Sequence, residues 1–240
     1  MKTLSEKIKE FIKITLGNTA VTIEITKFGI IIIGLIILIV VNIVLGEFAI
    51  KNRELKKEKI RVQQLEQEIQ KKDKELDELK EFRQLMKAIK DISRGKMDKK
   101  EVEITAKTLY KESQKYKIDW RMLTAVIMVE SDFDRLLVDN NSYGLMQIRF
   151  MTGQEIGDKI GVNLTSEDEL HSIRKNVQLG SFYLFEQIIK FGSIKKGLMA
   201  YNMGPNKFRN LYKKIGSKKL ETAYVRVVFK HYNYLKKYYG

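Results

Sequence analysis

A lone carboxylate closes an unusually apolar stretch of this chain. The run Trp-Arg-Met-Leu-Thr-Ala-Val-Ile-Met-Val from Trp120 to Val129 carries apolar residues on nearly every side and ends on Glu130. That pattern predicts a helix buried all round, and Asp119 in front of it is an N-cap type. A carboxyl group placed where such a helix emerges loses hydration, so its neutral form is favoured and its pKa rises towards neutrality, as a general acid requires. The ordinary reading, the first solvated residue after a helix, stays open on Glu130 alone. Downstream lie Gly144-Leu145-Met146-Gln147-Ile148 and Ala200-Tyr201-Asn202-Met203-Gly204-Pro205. Gly144 suits a tight bend, and the Gln147 amide brings both donors and acceptors to a substrate rich in hydroxyl and amide groups. Pro205 fits the first position of a helix.

Other chemistries lack their residues. There is no cysteine, which excludes disulfides and thiolate metal sites and leaves the compartment open. His171 and His231 are far apart, with no carboxylate or cysteine at ligand spacing, so neither a metal nor a cofactor is expected. No phosphate-binding glycine loop or nucleophile elbow occurs. The formal charge of +15 calls for an anionic partner, whether nucleic acid, lipid headgroups or wall polymers. No zinc-finger spacing supports nucleic acid, and none is expected as a partner.

Five blocks stand in chain order: Glu130-Ser131-Asp132-Phe133, Gly144 to Ile148, Asn176-Val177-Gln178-Leu179-Gly180-Ser181-Phe182-Tyr183-Leu184, Ala200 to Pro205, and Glu221-Thr222-Ala223-Tyr224-Val225. In these the sequence resembles the lytic transglycosylases with an SLT-type, goose-lysozyme-like catalytic domain, over residues 101–240. The resemblance implies a mostly α, lysozyme-like fold and cleavage of the β-1,4 bond between N-acetylmuramic acid and N-acetylglucosamine in peptidoglycan, leaving 1,6-anhydromuramic ends. It implies Glu130 as the catalytic acid and base, and Ser142, Met146, Gln147, Tyr201, Asn202 and Glu221 as substrate-binding residues. It departs at Arg149 and Phe150, where the family has an apolar residue and a proline. Two alternatives remain: a hydrolase of the same fold, in which water attacks, and a non-catalytic wall-binding scaffold.

The elements that must carry this domain lie before it. Thr3-Leu4-Ser5-Glu6 fits a capping box, and Leu4, Ile8, Phe11 and Ile12 share one face, so residues 1–27 read as a cytoplasmic amphipathic segment or an irregular tail. Residues 28–46 hold no charge and are long enough, at roughly 28 Å as a helix, to cross a bilayer. Val44-Leu45-Gly46 would serve a competing signal-peptide reading. Lysines flank the span on both sides, so charge does not orient it. A peptidoglycan substrate would put the carboxyl-terminal domain outside the cytoplasm, making this a single-pass protein of the cell membrane.

Residues 47–92 contain neither proline nor glycine. Leu55, Val62, Ile69 and Leu76 recur every seven residues with Leu65 and Leu79 three further on, a coiled-coil seam broken by Glu58 and Lys72. A helical spacer holding the domain off the membrane is expected, with self-association through the seam open. After Leu79 the apolar series shifts to Phe82, Leu85, Ile89 and Ile92. Residues 93–100 read as a hinge around Gly95, and the catalytic domain is expected to begin at 101. A second capping box is expected at Ser166 to Glu169.

Overall fold

The computed structural model describes residues 6, 20–215 and 221–240. The amphipathic segment expected at residues 3–12 lies, Glu6 apart, outside them. The chain divides into two units, residues 1–73 and 74–240.

In the first unit the described chain is one helix. Helix α1, Ala20–Ile92, begins there and runs without interruption into the second unit. Its apolar stretch from Phe28 is long and apolar enough to cross a membrane. The seam residues Leu55, Val62 and Ile69 are all exposed, as is Leu76 just beyond the boundary.

The second unit is mostly α. The last turns of α1 open it, followed by α2 (Lys99–Tyr116), α3 (Trp120–Glu130) and three two-residue strands, β1 (Val138–Asp139), β2 (Ser142–Tyr143) and β3 (Ile148–Arg149). Helix α4 (Phe150–Ile160), a 3-10 turn (Glu167–His171), α5 (Ile173–Phe191), α6 (Ile194–Met203), α7 (Pro205–Ile215) and α8 (Ala223–Tyr239) complete it. The strands form an antiparallel sheet in the order β1-β2-β3. Two residues per strand are too few for any alternation, which is why the sequence gives no sign of them.

The helices start where chemistry allows. Asp98 and Glu101 form a reciprocal capping box on α2, at 2.8 and 3.0 Å. Asp119 accepts from the Arg121 N–H at 2.9 Å and caps α3. The box expected at Ser166 does not form: its side chain caps nothing. Glu169 turns back instead and accepts from the Thr165 N–H at 2.6 Å, an interaction local to a tighter 3-10 turn.

Helix α3 is the axis of the core. Trp120, Leu123, Ala125, Val126 and Ile127 are all at most 1 % exposed, packed chiefly against α8. The predicted inner face of α2, Val102, Ala106, Leu109, Ser113 and Tyr116, is buried. So are Leu85, Ala88 and Ile89, each 0 % exposed, with Ile92 at 9 %. The shift in the apolar series after Leu79 therefore marks a change of packing environment: before it the seam is bare, and from Phe82 the helix is a wall of this core. The compact unit begins near Lys74, ahead of the boundary read at 101.

The segment read as a hinge is a pinned corner. Ser93 and Met97 are buried. Arg94 and Lys96 hold the Asp132 carboxylate at 2.5 and 2.6 Å. Glycine and polar residues end helices whether the turn is loose or packed, so composition cannot tell the two apart.

Candidate active site

Glu130 lines a cleft of about 410 Å³, of a size that encloses sugar-sized ligands. Helix α3 delivers it, and the following turn fixes it. The Ser131 hydroxyl is buried and donates to the Leu145 carbonyl at 2.9 Å. Asp132 and Phe133 adopt left-handed backbone at φ 46° and 65°, a conformation costly for such residues. The Phe133 ring, 1 % exposed, anchors that turn in the core. The block Glu130-Ser131-Asp132-Phe133 is thus one device that stops a buried helix and aims its last carboxylate outward.

Gly144 accounts for the next block. It stands at φ +75°, and a Cβ there would lie 2.5 Å from the Leu170 carbonyl oxygen and 2.6 Å from the Asn176 amide nitrogen. Asn176, buried on α5, donates to the Tyr143 and Leu170 carbonyls at 2.7 and 2.9 Å and accepts from the Met146 N–H at 2.7 Å. One amide therefore holds the β2–β3 loop from behind. Gly180, one helical turn on, lets the Met146 side chain lie against α5, where a Cβ would meet the sulfur at 2.5 Å. Asn176→Ala would leave three buried backbone groups unpaired, each worth roughly 1 to 3 kcal/mol. A stability loss of at least about 3 kcal/mol is expected by denaturant titration.

The predicted site residues separate into three groups. Glu130, Ser142, Gln147, Tyr201 and Asn202 line one cleft. Met146 does not: it is 0 % exposed, and its part is the floor, where its carbonyl accepts from the Tyr201 hydroxyl at 2.6 Å. Glu221 is also outside, paired with Lys195 at 3.4 Å with its side chain 46 % exposed. Among those that do line the cleft, chemistry is narrower than residue type suggested. Gln147 spends both amide hydrogens on the Leu137 and Gly144 carbonyls, at 3.1 and 2.9 Å, leaving its carbonyl oxygen as an acceptor for the cleft. The Tyr201 hydroxyl faces inward, so its ring is what the cleft sees, tilted against Tyr183 at 5.2 Å between centroids.

Sequence reasoning missed the partner of Glu130. Tyr224, at the start of α8, donates to Glu130 Oε1 at 2.6 Å. Its block had been noted, yet nothing in the sequence ties position 224 to one 94 residues earlier. Glu130 keeps a face open to the cleft but is otherwise enclosed by protein. Burial pushes its carboxyl up to about 7, against the Tyr224 hydrogen bond, which favours the ionised form and lowers it. Tyr201 and Tyr224 have phenols raised well above the usual value, first by burial and then by the charge of Glu130. Both remain neutral at any ordinary pH, so of these three groups Glu130 is the one that can exchange a proton.

Residues 107–223 match the family model described as Transglycosylase SLT domain. Over that stretch the chain is similar to the SLT domains. Its fold resembles the 70 kDa soluble lytic transglycosylase Slt70 of Escherichia coli, with a TM-score of 0.51 and 21 % identity over 56 % of this chain and 24 % of that one. A lytic transglycosylase Slt of Pseudomonas aeruginosa, solved as an inactive mutant, is similar at a TM-score of 0.41 and 23 % identity, over 55 % of this chain and 21 % of that one. The chain thus spans about a quarter of Slt70. No curated protein matches it significantly. The lysozyme-like, mostly α fold is that expected from the sequence. Tyr224, the partner of Glu130, stands one residue beyond the matched SLT stretch.

Proposed function

We propose that this chain is a membrane-anchored peptidoglycan lytic transglycosylase with Glu130 as its general acid and base. The observation that carries the reading is a largely buried carboxyl group that lines a cleft in the stretch similar to SLT domains and accepts from Tyr224, with burial pushing its pKa up to about 7. A carboxyl poised there holds its proton for a leaving group and accepts one a moment later, near neutral pH. In the proposed reaction Glu130 protonates the glycosidic oxygen as the bond from the muramoyl anomeric carbon breaks. The neighbouring acetamido oxygen assists in place of a protein nucleophile, so one carboxyl suffices. The Glu130 carboxylate then takes the proton of the muramoyl 6-hydroxyl, whose oxygen closes onto the anomeric carbon. No water enters the product. Mass spectrometry of digested peptidoglycan tests this, because anhydro ends are one water lighter than hydrolytic ends. Hydrolytic ends alone would make the protein a muramidase, and binding without cleavage a scaffold.

The pH dependence follows from the two contributions to Glu130. The acid must be protonated in the free enzyme, so kcat/KM falls as pH rises through about 7. Tyr224→Phe removes the hydrogen bond that lowers the pKa, and the falling limb shifts to higher pH. A limb unchanged or moved to lower pH would remove Tyr224 from this role.

The exposed apolar stretch from Phe28 supports a single membrane anchor, with the SLT domain outside the cytoplasm, where the wall is. Protease added to wall-stripped cells should then remove residues beyond 47, and full protection would reverse the topology. The uncovered seam at Leu55, Val62, Ile69 and Leu76 supports a parallel pairing of two copies in one membrane. In that register Glu54 faces Lys59, Arg61 faces Glu66 and Glu75 faces Lys80 of the second copy, while Glu68 and Asp73 repel. Cysteine cross-linking at Val62 should trap a dimer.

A further inference from the structure

The three strands set a second row of side chains into the cleft. Their register pairs Asp139 with Ser142 and Ser142 with Arg149, and residues directly opposite present their side chains on the same face. All three line the cleft that holds Glu130. Ser142 stands between Asp139 and Arg149, whose backbones lie two strand spacings, about 10 Å, apart. The nearest bond of Asp139 is to its neighbour Asn140, at 3.1 Å. Among the described residues the Arg149 guanidinium has no hydrogen bond or ion pair. Its charge does reach the Tyr183 phenol on the same side of the cleft. Neither charge tunes the acid, since burial and Tyr224 set the acidity of Glu130. The row therefore presents an unpaired cation, and an anion held only by the neighbouring Asn140 amide, to whatever lies beside the reacting sugar.

A wall glycan is charged where its peptides are attached. Those stems carry free carboxylates and, on a diamino acid, an ammonium group. We propose that Asp139, Ser142 and Arg149 form a rim that reads the peptide stem of the glycan strand, Arg149 taking a carboxylate and Asp139 an ammonium group. The proposal rests on the reading of the cleft as a glycan-cleaving site. A guanidinium presents paired N–H donors that match a carboxylate's two oxygens, whereas a neutral sugar offers them no such partner. The position is also one where the resembled family carries an apolar residue, so the rim would be a property of this chain.

The test uses the full chain in detergent micelles and three glycan preparations: peptide-bearing strands, strands stripped of peptide by an amidase and then amidated at the lactyl carboxylates so freed, and peptide-bearing strands with their carboxylates amidated; a fourth, peptide-bearing strands with their amines acetylated, serves for Asp139. Arg149→Met loses a charge-assisted bond and should lower kcat/KM on peptide-bearing strands about 10-fold more than on stripped ones. Amidated strands should cost the unmutated enzyme a similar factor and Arg149→Met little more. Asp139→Asn should behave in parallel towards strands whose amines have been acetylated. Equal losses on peptide-bearing and stripped strands would overturn the rim. Sedimentation with the same three preparations, using Glu130→Gln, reads the rim through affinity alone. Binding that favours peptide-bearing strands without cleavage by the unmutated chain would keep the rim and sink the transglycosylase reading.

Discussion

Glu130→Gln in the full chain is expected to lower the release of anhydro-muropeptides by about 10²- to 10⁴-fold, the usual contribution of a positioned acid and base. Glutamine keeps the shape of the side chain, and its amide oxygen can still accept from the Tyr224 hydroxyl now held at 2.6 Å. It cannot transfer a proton. The fold should persist, and the direction of the stability change is fixed by linkage. The folded-state pKa of Glu130, about 7, lies above the ordinary glutamate value of 4.5. Stability tied to the protonated group is therefore full below about 4.5 and is lost as pH rises through about 7. Glutamine does not titrate, so the variant should match the unmutated protein in melting temperature near pH 4 and exceed it at pH 8. A variant that kept most of its activity would remove Glu130 as the acid. One that lost stability at pH 8 would mean that the carboxylate is held by contacts that outweigh its burial.

The second large effect concerns where the folded unit begins. A fragment starting at residue 101 would discard Leu85, Ala88 and Ile89, all 0 % exposed, along with Ile92. It would also lose the Phe82 edge contact with Tyr110, at 5.7 Å between centroids, and the Tyr239 hydrogen bond to Asp91, at 3.1 Å. Each buried leucine or isoleucine contributes roughly 1.5 to 3 kcal/mol, so the sum rivals the whole stability of a domain, about 5 to 15 kcal/mol. Residues 101–240 are expected to be molten or insoluble. Residues 74–240 should unfold cooperatively, with a sharp near-ultraviolet circular dichroism signal. Equal stability of the two fragments would show that the turns from Phe82 to Ile92 are dispensable.

The sequence carried the acid because the cause of its acidity is local. An apolar run from Trp120 to Val129 forecasts both a buried helix and a desolvated carboxyl at its end. Gly144 and Gly180 were legible as blocks, though their reasons, the Asn176 amide behind one and the Met146 sulfur against the other, are contacts between distant segments. Met146 and Glu221 show the limit from the other side. Block membership placed them in the cleft, but whether a side chain in such a block faces substrate, core or solvent depends on a rotation of the backbone that no spacing reveals. Tyr224 was hidden for the same reason. The change of apolar register at Phe82 was visible, and what it lacked was the identity of the new neighbour. Heptad spacing says that a helix has a partner on that side, and a second copy or its own domain would write the same letters.

The pinned corner after α1 has a further consequence, for proteolytic processing. Chain breakage before residue 74 would cut an exposed helix and leave the second unit with its core complete. Breakage between Arg94 and Lys96 would do something different. The severed turns would still be clasped by the core through Leu85 and Ile89, and Lys96 would still hold Asp132, two residues from the acid. A nick there would cut the chain without releasing the domain.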